Sequence, residues 1–202
     1  IAPPAEQPAR PARAHEQRID PHRPAARGPA DLERCHRQLK RPGRRRHQAA
    51  VGDAVGGYQE SKFFEPGTDI VVAKTPFGHI GLMVCYDLRF PELALTLRAQ
   101  GANILTAPAA FTYTTGQMHW QLLLQARAID SQCHVLGAAQ QGWHGEKRQT
   151  WGHAGATHSR GQILAITEAE GAQLITVPFD LQEQQAIRAS MPLIQHRKLM
   201  TL

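Results

Sequence analysis

The sequence lacks long apolar runs and paired cysteines, and each absence narrows the possible classes of protein. No 18 consecutive residues are apolar and the first residues lack a basic and then an apolar segment, so we expect no transmembrane helix and no secretory signal. The only cysteines are Cys35, Cys85 and Cys133, and none forms a CxxC pair, which argues against a disulfide framework or a structural zinc site. We therefore expect a cytoplasmic protein.

Aromatic residues are scarce at 6%, but the overall composition is that of a globular protein. The chain has 202 residues, of which 42% are hydrophobic and 20% charged. This length suits one domain of ordinary size, and the composition excludes a collagen-like or wholly disordered chain.

The first fifty residues contain no Ser, Thr, Asn, Val, Met, Phe, Tyr or Trp. They carry 12 basic and 5 acidic residues, whereas residues 51–202 carry 11 and 12, so the net charge of +6 belongs to this segment. Because it offers few side chains for a core, we predict that 1–50 is disordered. Three interpretations are open: a basic nucleic-acid-binding arm, a natural disordered tail, or translation of a GC-rich gene out of frame. We favour the third.

From Val51 onward, apolar β-branched runs alternate with helical patterns, which indicates an α/β fold. The pattern predicts a domain over 51–202. The predicted strands are 70–73, 79–84, 104–107 and 135–139, with a hairpin formed by 162–167 and 173–179. The predicted helices are 92–100, 118–132 and 181–190.

The segment Cys85-Tyr86-Asp87-Leu88-Arg89-Phe90-Pro91-Glu92 carries the densest chemical signal. A cysteine that ends an apolar strand just before a helix is exposed at a sheet edge, where open α/β folds bind ligands. The nearby helix N-terminus favours the thiolate, and backbone N–H groups after the cysteine can hold an oxyanion. These features make Cys85 a candidate nucleophile. The alternative is a buried, inert cysteine.

This segment resembles the nucleophile motif of the nitrilase superfamily of carbon–nitrogen hydrolases. The resemblance extends over about residues 51–200 and includes Tyr58-Gln59-Glu60-Ser61, Pro108-Ala109-Ala110-Phe111, His119-Trp120, Ala126-Arg127-Ala128-Ile129-Asp130, Glu146-Lys147-Arg148 and Trp151-Gly152-His153. It is greatest to the amidase branch of that superfamily.

The resemblance implies an α-β-β-α sandwich, here incomplete at the N-terminus, and hydrolysis of a small carboxylate-bearing amide. Cys85 would form a thioester as ammonia leaves, and Glu60 would be a supporting carboxylate. Substrate or oxyanion contacts are expected from Tyr86, Asp87, Arg89, Glu92 and Phe111. Arg89 and Glu92 could orient the loop, bind a substrate carboxylate, or simply form a salt bridge. We expect the protein to bind no cofactor, metal, nucleic acid or membrane. We expect it to self-associate into a homo-oligomer.

The family's catalytic base and lysine match no position in residues 1–50. Lys40 is the only lysine near the expected place, and its surroundings do not resemble the family segment. For the stretches 34–38 and 156–159, one choice of codons read out of frame encodes family-like sequence, which is the basis of the out-of-frame hypothesis. A second hypothesis is therefore an inactive member of the family, and a third is a nucleic-acid binder that uses the basic arm.

Two further groups of residues have structural interpretations. Cys133 lies at a helix-to-strand junction and is predicted to be structural. His144, His153 and His158 lack the spacing of a metal site.

Overall fold

In the computed structural model, the described residues are 66–67, 69–146, 148–168 and 171–198. The predictions for residues 1–50, for the domain boundary at residue 51 and for Glu60 lie outside them. The described residues form a mixed sheet with helices, so the predicted α/β fold is confirmed.

One six-stranded sheet organises the described residues. In spatial order its strands are β1 (Val72–Thr75), β2 (Gly78–Leu82), β3 (Ile104–Thr106), β4 (His134–Gly137), β7 (Gly155–Thr157) and β8 (Ile163–Ile166). Strands β2, β3 and β4 are parallel, and β1, β7 and β8 are antiparallel to their neighbours. A separate antiparallel ribbon consists of β5 (Gln141–His144) and β6 (Arg148–Trp151).

Four α-helices accompany the sheet in the described ranges, and the bounds of α1 and α3 agree with the sequence signals to within one residue. They are α1 (Pro91–Ala99), α2 (Tyr113–Ser131), α3 (Leu181–Ser190) and α4 (Leu193–His196). Proline occupies the first position of α1, where its missing N–H costs nothing, and Gly101 follows the helix at φ +97°. None of these helices combines the length and hydropathy that a membrane span requires.

The core lies between the sheet and the helices α1 and α2. Leu105 and Val135 are fully buried neighbours on one face of the sheet. At two positions of the sheet, Gly81 and Gly137, only glycine fits because neighbouring side chains approach the backbone closely. A Cβ on Gly81 would lie 2.7 Å from Leu105 Cδ2, and one on Gly137 would lie 2.5 Å from Trp120 Cζ2. The close approach of the helices to the strands therefore fixes the position of β2, which ends three residues before Cys85.

The hairpin predicted for 162–167 and 173–179 is wrong. Residues Ile163–Ile166 pair with β7 through the turn after Thr157, and the described residues 171–180 form no strand. Phe179 packs against the ring of His134 at 5.0 Å instead. β8 pairs with β7 at the edge of the sheet. A local sequence pattern does not show which strand will be the partner.

Helix α2 begins five residues earlier than predicted. Its first turn packs on the ribbon: the rings of Tyr113 and Trp151 are 5.0 Å apart, and Gly116 lies directly against the Trp151 side chain. These tertiary contacts extend the helix beyond the apolar period that predicted it. Gln132, in the left-handed conformation at φ +52°, ends it.

Candidate active site

A cleft opens at the carboxyl ends of the parallel strands. Its volume is about 1010 Å³, and its wall comes from the segments that follow β2, β3 and β4, with the ribbon and residues near β7 and β8 completing it. The lining includes Cys85, Ala110, Gln140, His144 and Thr167. Ligands bind at this edge in open α/β sheets, as the sequence predicted for Cys85.

Cys85 begins a single 3₁₀ turn directly after the strand segment and has a φ of +48°. Non-glycine residues adopt this left-handed conformation at a cost, and such strain concentrates at functional sites. The Cys85 N–H donates to the carbonyl of Pro108 at 2.9 Å, which ties the turn to the segment after β3. The side chain is half-buried and lines the cleft. The alternative of a fully buried Cys85 is therefore wrong.

Asp87 stabilises the same turn from within. Its side chain is fully buried, and Oδ2 accepts the backbone N–H of Val84 at 2.9 Å. The carboxylate thus satisfies a donor at the start of the turn, as an N-cap residue does in a helix. Its position gives it a part in holding Cys85 at the mouth of the cleft.

Arg89 is the last residue of this 3₁₀ segment and packs against two aromatic rings. Its Cζ is 5.1 Å from the ring centre of Phe111 and 5.4 Å from that of Tyr86. Nη1 donates to His119 Nδ1 at 3.3 Å, so that nitrogen carries no proton. Glu92 is exposed in the first turn of α1, and these two described residues form no ion pair with each other. The salt-bridge interpretation of Arg89 and Glu92 is therefore wrong.

The contribution of the ribbon to the cleft was not predicted. The spacing of His144 was weighed only against that of a metal ligand, whereas the structure places His144 on the cleft wall with Cys85. The described residues contain no group of three side chains arranged to bind a metal ion. The signal available in the sequence was the pair Gly142 and Gly145, whose positive φ angles of +99° and +66° shape the ribbon.

Cys133 lies away from the cleft and is fully buried. Its thiol donates to the carbonyl of Ala102 at 3.3 Å, and Arg188 Nη2 approaches the sulfur at 3.3 Å. Burial raises the pKa of this thiol, and the charge of Arg188 opposes that effect only in part. The burial of Cys133 agrees with the structural role that the sequence predicted.

The fold and the cysteine after a strand end define a class of α/β protein, and comparison with known proteins identifies the family within that class. The model of the family described as carbon-nitrogen hydrolase matches residues 38–189. The chain belongs to the carbon–nitrogen hydrolase family.

A curated relative is the deaminated glutathione amidase of Yersinia enterocolitica, which is 45% identical over 151 residues. These residues are 75% of this chain and 52% of that protein, so the chain spans about half the length of this relative.

Solved structures agree with this assignment. Saccharomyces cerevisiae Nit3, described as a member of branch 10 of the nitrilase superfamily, superposes with a TM-score of 0.64 at 33% identity, over 69% of this chain and 51% of that one. An amidase from Nesterenkonia sp. AN1, solved with the acetamide moiety of fluoroacetamide added covalently at its active site cysteine, has a TM-score of 0.53 at 26% identity, over 59% and 44%. The predicted α/β fold of the nitrilase type is confirmed.

Proposed function

We propose that this chain carries the cysteine of an amidase site that cleaves a non-peptide carbon–nitrogen bond in a small carboxylate-bearing amide. The observation that carries the proposal is the placement of Cys85, held at φ +48° where β2 meets the cleft. The covalently modified cysteine in the Nesterenkonia amidase and the name of the Yersinia relative support both the nucleophile and the amide class.

The chemistry proceeds in two stages. The thiolate of Cys85 attacks the amide carbonyl carbon, a C–S bond forms, and the carbonyl oxygen becomes an oxyanion that backbone N–H groups after Cys85 stabilise. Collapse of this intermediate breaks the C–N bond, and the nitrogen takes up a proton and leaves as ammonia. Water then attacks the thioester, releasing the acid and restoring the thiol. Glu60 serves as a supporting carboxylate.

The other predicted site residues divide by position. Tyr86 and Arg89, both within the 3₁₀ segment, pack with Phe111, and Asp87 closes the segment from within. Since Arg89 packs on rings and is not among the described lining residues, we assign it to orienting the loop. Glu92, exposed in α1, keeps its place as a predicted substrate contact.

Ammonia release from small carboxylate-bearing amides tests the proposal, with Cys85→Ser as the isosteric knockout and Cys133→Ala as the matched control at a cysteine outside the cleft. We expect slow release that Cys85→Ser abolishes and Cys133→Ala preserves. Because no position in 1–50 matches the family's base and lysine, the rate should lie on the order of 10⁴-fold below that of a relative that has both. Release that survives Cys85→Ser would overturn the proposal, and no release at all would favour an inactive family member.

A further inference from the structure

One turn of α2 directs two neighbouring side chains to different parts of the molecule. Trp120 is fully buried, its Nε1–H donates to the carbonyl of His153 at 2.7 Å, and its ring meets that of Phe111 at 5.1 Å. These contacts fix the rotation of α2 about its axis. Successive residues of a helix are about 100° apart, so the neighbouring His119 reaches the 3₁₀ segment Cys85–Arg89 instead of the core.

His119 contacts the end of that segment. Its Nδ1 accepts a hydrogen bond from Arg89 Nη1 at 3.3 Å, and Arg89 is the last of the five residues that begin with Cys85. The start of the segment is held separately, because the Cys85 N–H donates to the carbonyl of Pro108 at 2.9 Å. The segment is therefore tied to its surroundings at both ends, once through the backbone and once through a side chain of α2.

The aromatic rings that pack on Arg89 attract its charge but do not fix the direction of its N–H groups. Its Cζ lies 5.1 Å from the ring centre of Phe111 and 5.4 Å from that of Tyr86. The attraction of a cation to a ring face depends chiefly on its distance from the ring centre. A hydrogen bond, by contrast, weakens steeply when it is bent. The bond to His119 therefore selects one orientation of the guanidinium.

We propose that His119 is a positioning residue for this site: it holds Arg89, and through Arg89 it holds the turn that presents Cys85 to the cleft. The constraint passes along the backbone because Arg89 ends the segment that Cys85 begins. This inference rests on the proposed function and adds to it a residue that is not among the described lining of the cleft.

The test compares two substitutions of His119 in the full chain. Leucine removes the acceptor and is the better helix former, whereas asparagine is the poorer helix former but carries an oxygen as far from the backbone as His119 Nδ1. A role confined to the stability of α2 would make His119→Asn the worse variant, and the positioning role makes His119→Leu the worse one. Urea unfolding records the stability of each variant beside the reactivity of Cys85.

Alkylation of Cys85 by iodoacetamide measures that reactivity, as read by mass spectrometry of the peptide that contains it. We expect His119→Leu to lower the rate about fivefold, the effect of one lost hydrogen bond, and His119→Asn to retain most of the rate. A His119→Leu rate equal to that of the unaltered chain would overturn the inference. A loss in His119→Asn as large as that in His119→Leu would also overturn it.

Two further variants serve as controls. Gln121→Leu makes a similar polar-to-leucine change at an exposed position of the same helix and should leave the rate unchanged. Arg89→Met removes the guanidinium, and adding His119→Leu to it should lower the rate no further, because the two residues act through one bond. A second loss in the double variant, equal to that in His119→Leu alone, would contradict the proposed route through Arg89.

Turnover separates this inference from the proposed function. Where ammonia release from a small carboxylate-bearing amide is measurable, His119→Leu should lower kcat about fivefold and leave KM unchanged, because it displaces Cys85 and removes no substrate contact. A change in KM alone would overturn the inference and leave the proposed function intact. Release that survives Cys85→Ser would overturn the proposed function, whereas the alkylation rates would still decide the role of His119.

Discussion

The carboxylate of Asp87 accepts the backbone N–H of Val84 at 2.9 Å, and this bond closes the turn that contains Cys85. The bond connects a fully buried side chain to the residue just before Cys85. The left-handed conformation of Cys85 is thereby held by a local contact as well as by the bond from its own N–H to Pro108.

Asp87→Ala should relax this turn. Removing the acceptor leaves a part-buried N–H without its partner, so we expect a loss of about 1–3 kcal/mol in the free energy of unfolding and slower alkylation of Cys85 by iodoacetamide. Asp87→Asn keeps an amide oxygen that can accept the same bond and should retain most of both properties. Urea unfolding and the alkylation rate provide the two measurements. Equal stability of Asp87→Ala and the unaltered chain would contradict the assigned role.

The two described cysteines should differ sharply in reactivity. Cys85 lines the cleft, whereas Cys133 is fully buried with a raised pKa, so its thiol is both inaccessible and protonated. Iodoacetamide applied to the native chain should modify Cys85 and spare Cys133, as read from the two cysteine peptides by mass spectrometry. In urea both should react. Native modification of Cys133 at the rate of Cys85 would show that the core opens readily.

Thr157→Val should stabilise the fold. Thr157 is fully buried and its hydroxyl finds no hydrogen-bond partner within the described residues. Removing an unsatisfied buried hydroxyl while keeping the shape of the side chain should raise the free energy of unfolding by about 1 kcal/mol.

Thr150→Val provides the matched comparison for Thr157→Val. This second buried threonine has a hydroxyl bonded to His144 and Gly142, so its loss should destabilise the fold by about 1 kcal/mol. Thermal unfolding of the two variants side by side measures the difference. A Thr157→Val variant that melts below the unaltered chain would indicate that its hydroxyl is satisfied.

Stability should fall with acid through His134. This imidazole is buried and its pKa is lowered to about 4, chiefly by burial and also by the neighbouring His158. Between pH 6.5 and about 4 the unfolded chain binds a proton here that the folded chain does not. The contribution of this residue to the free energy of unfolding is therefore complete above pH 6.5 and decreases by about 2–3 kcal/mol as the pH falls to about 4.

Urea unfolding across this pH window tests the assignment to His134. His134→Gln should make the profile flatter than that of the unaltered chain. His196→Gln, at an exposed histidine in α4, should leave the profile unchanged. An identical slope in His134→Gln would assign the acid sensitivity to other groups.

Local sequence signals predicted much of the region around Cys85. The Pro76–Phe77 turn joins β1 to β2 as expected, with Thr75 Oγ1 donating to the Gly78 carbonyl at 2.6 Å. Proline at the start of α1 and Gly101 after it placed that helix to within one residue. These signals work because each depends on the backbone conformation of a few adjacent residues.

The walls of the cleft could not be predicted in this way. His144 reaches the site of Cys85, 59 positions earlier in the chain, because the ribbon pairs with the segment after β3. The same applies to β8, which pairs with β7 instead of with the segment after Gly171. In each case several partners satisfy the local pattern equally, and only the assembled sheet decides among them.

The sequence by itself determined the class of the fold, the position of Cys85 at a strand end and the family resemblance, since these reside in short contiguous segments. Tertiary structure alone decided that Asp87 is buried beneath the turn, that Arg89 packs on Phe111 rather than pairing with Glu92, and that the ribbon forms a wall of the cleft. The physical reason is that burial and charge pairing depend on which distant side chains share a surface, and that follows from packing rather than from order along the chain.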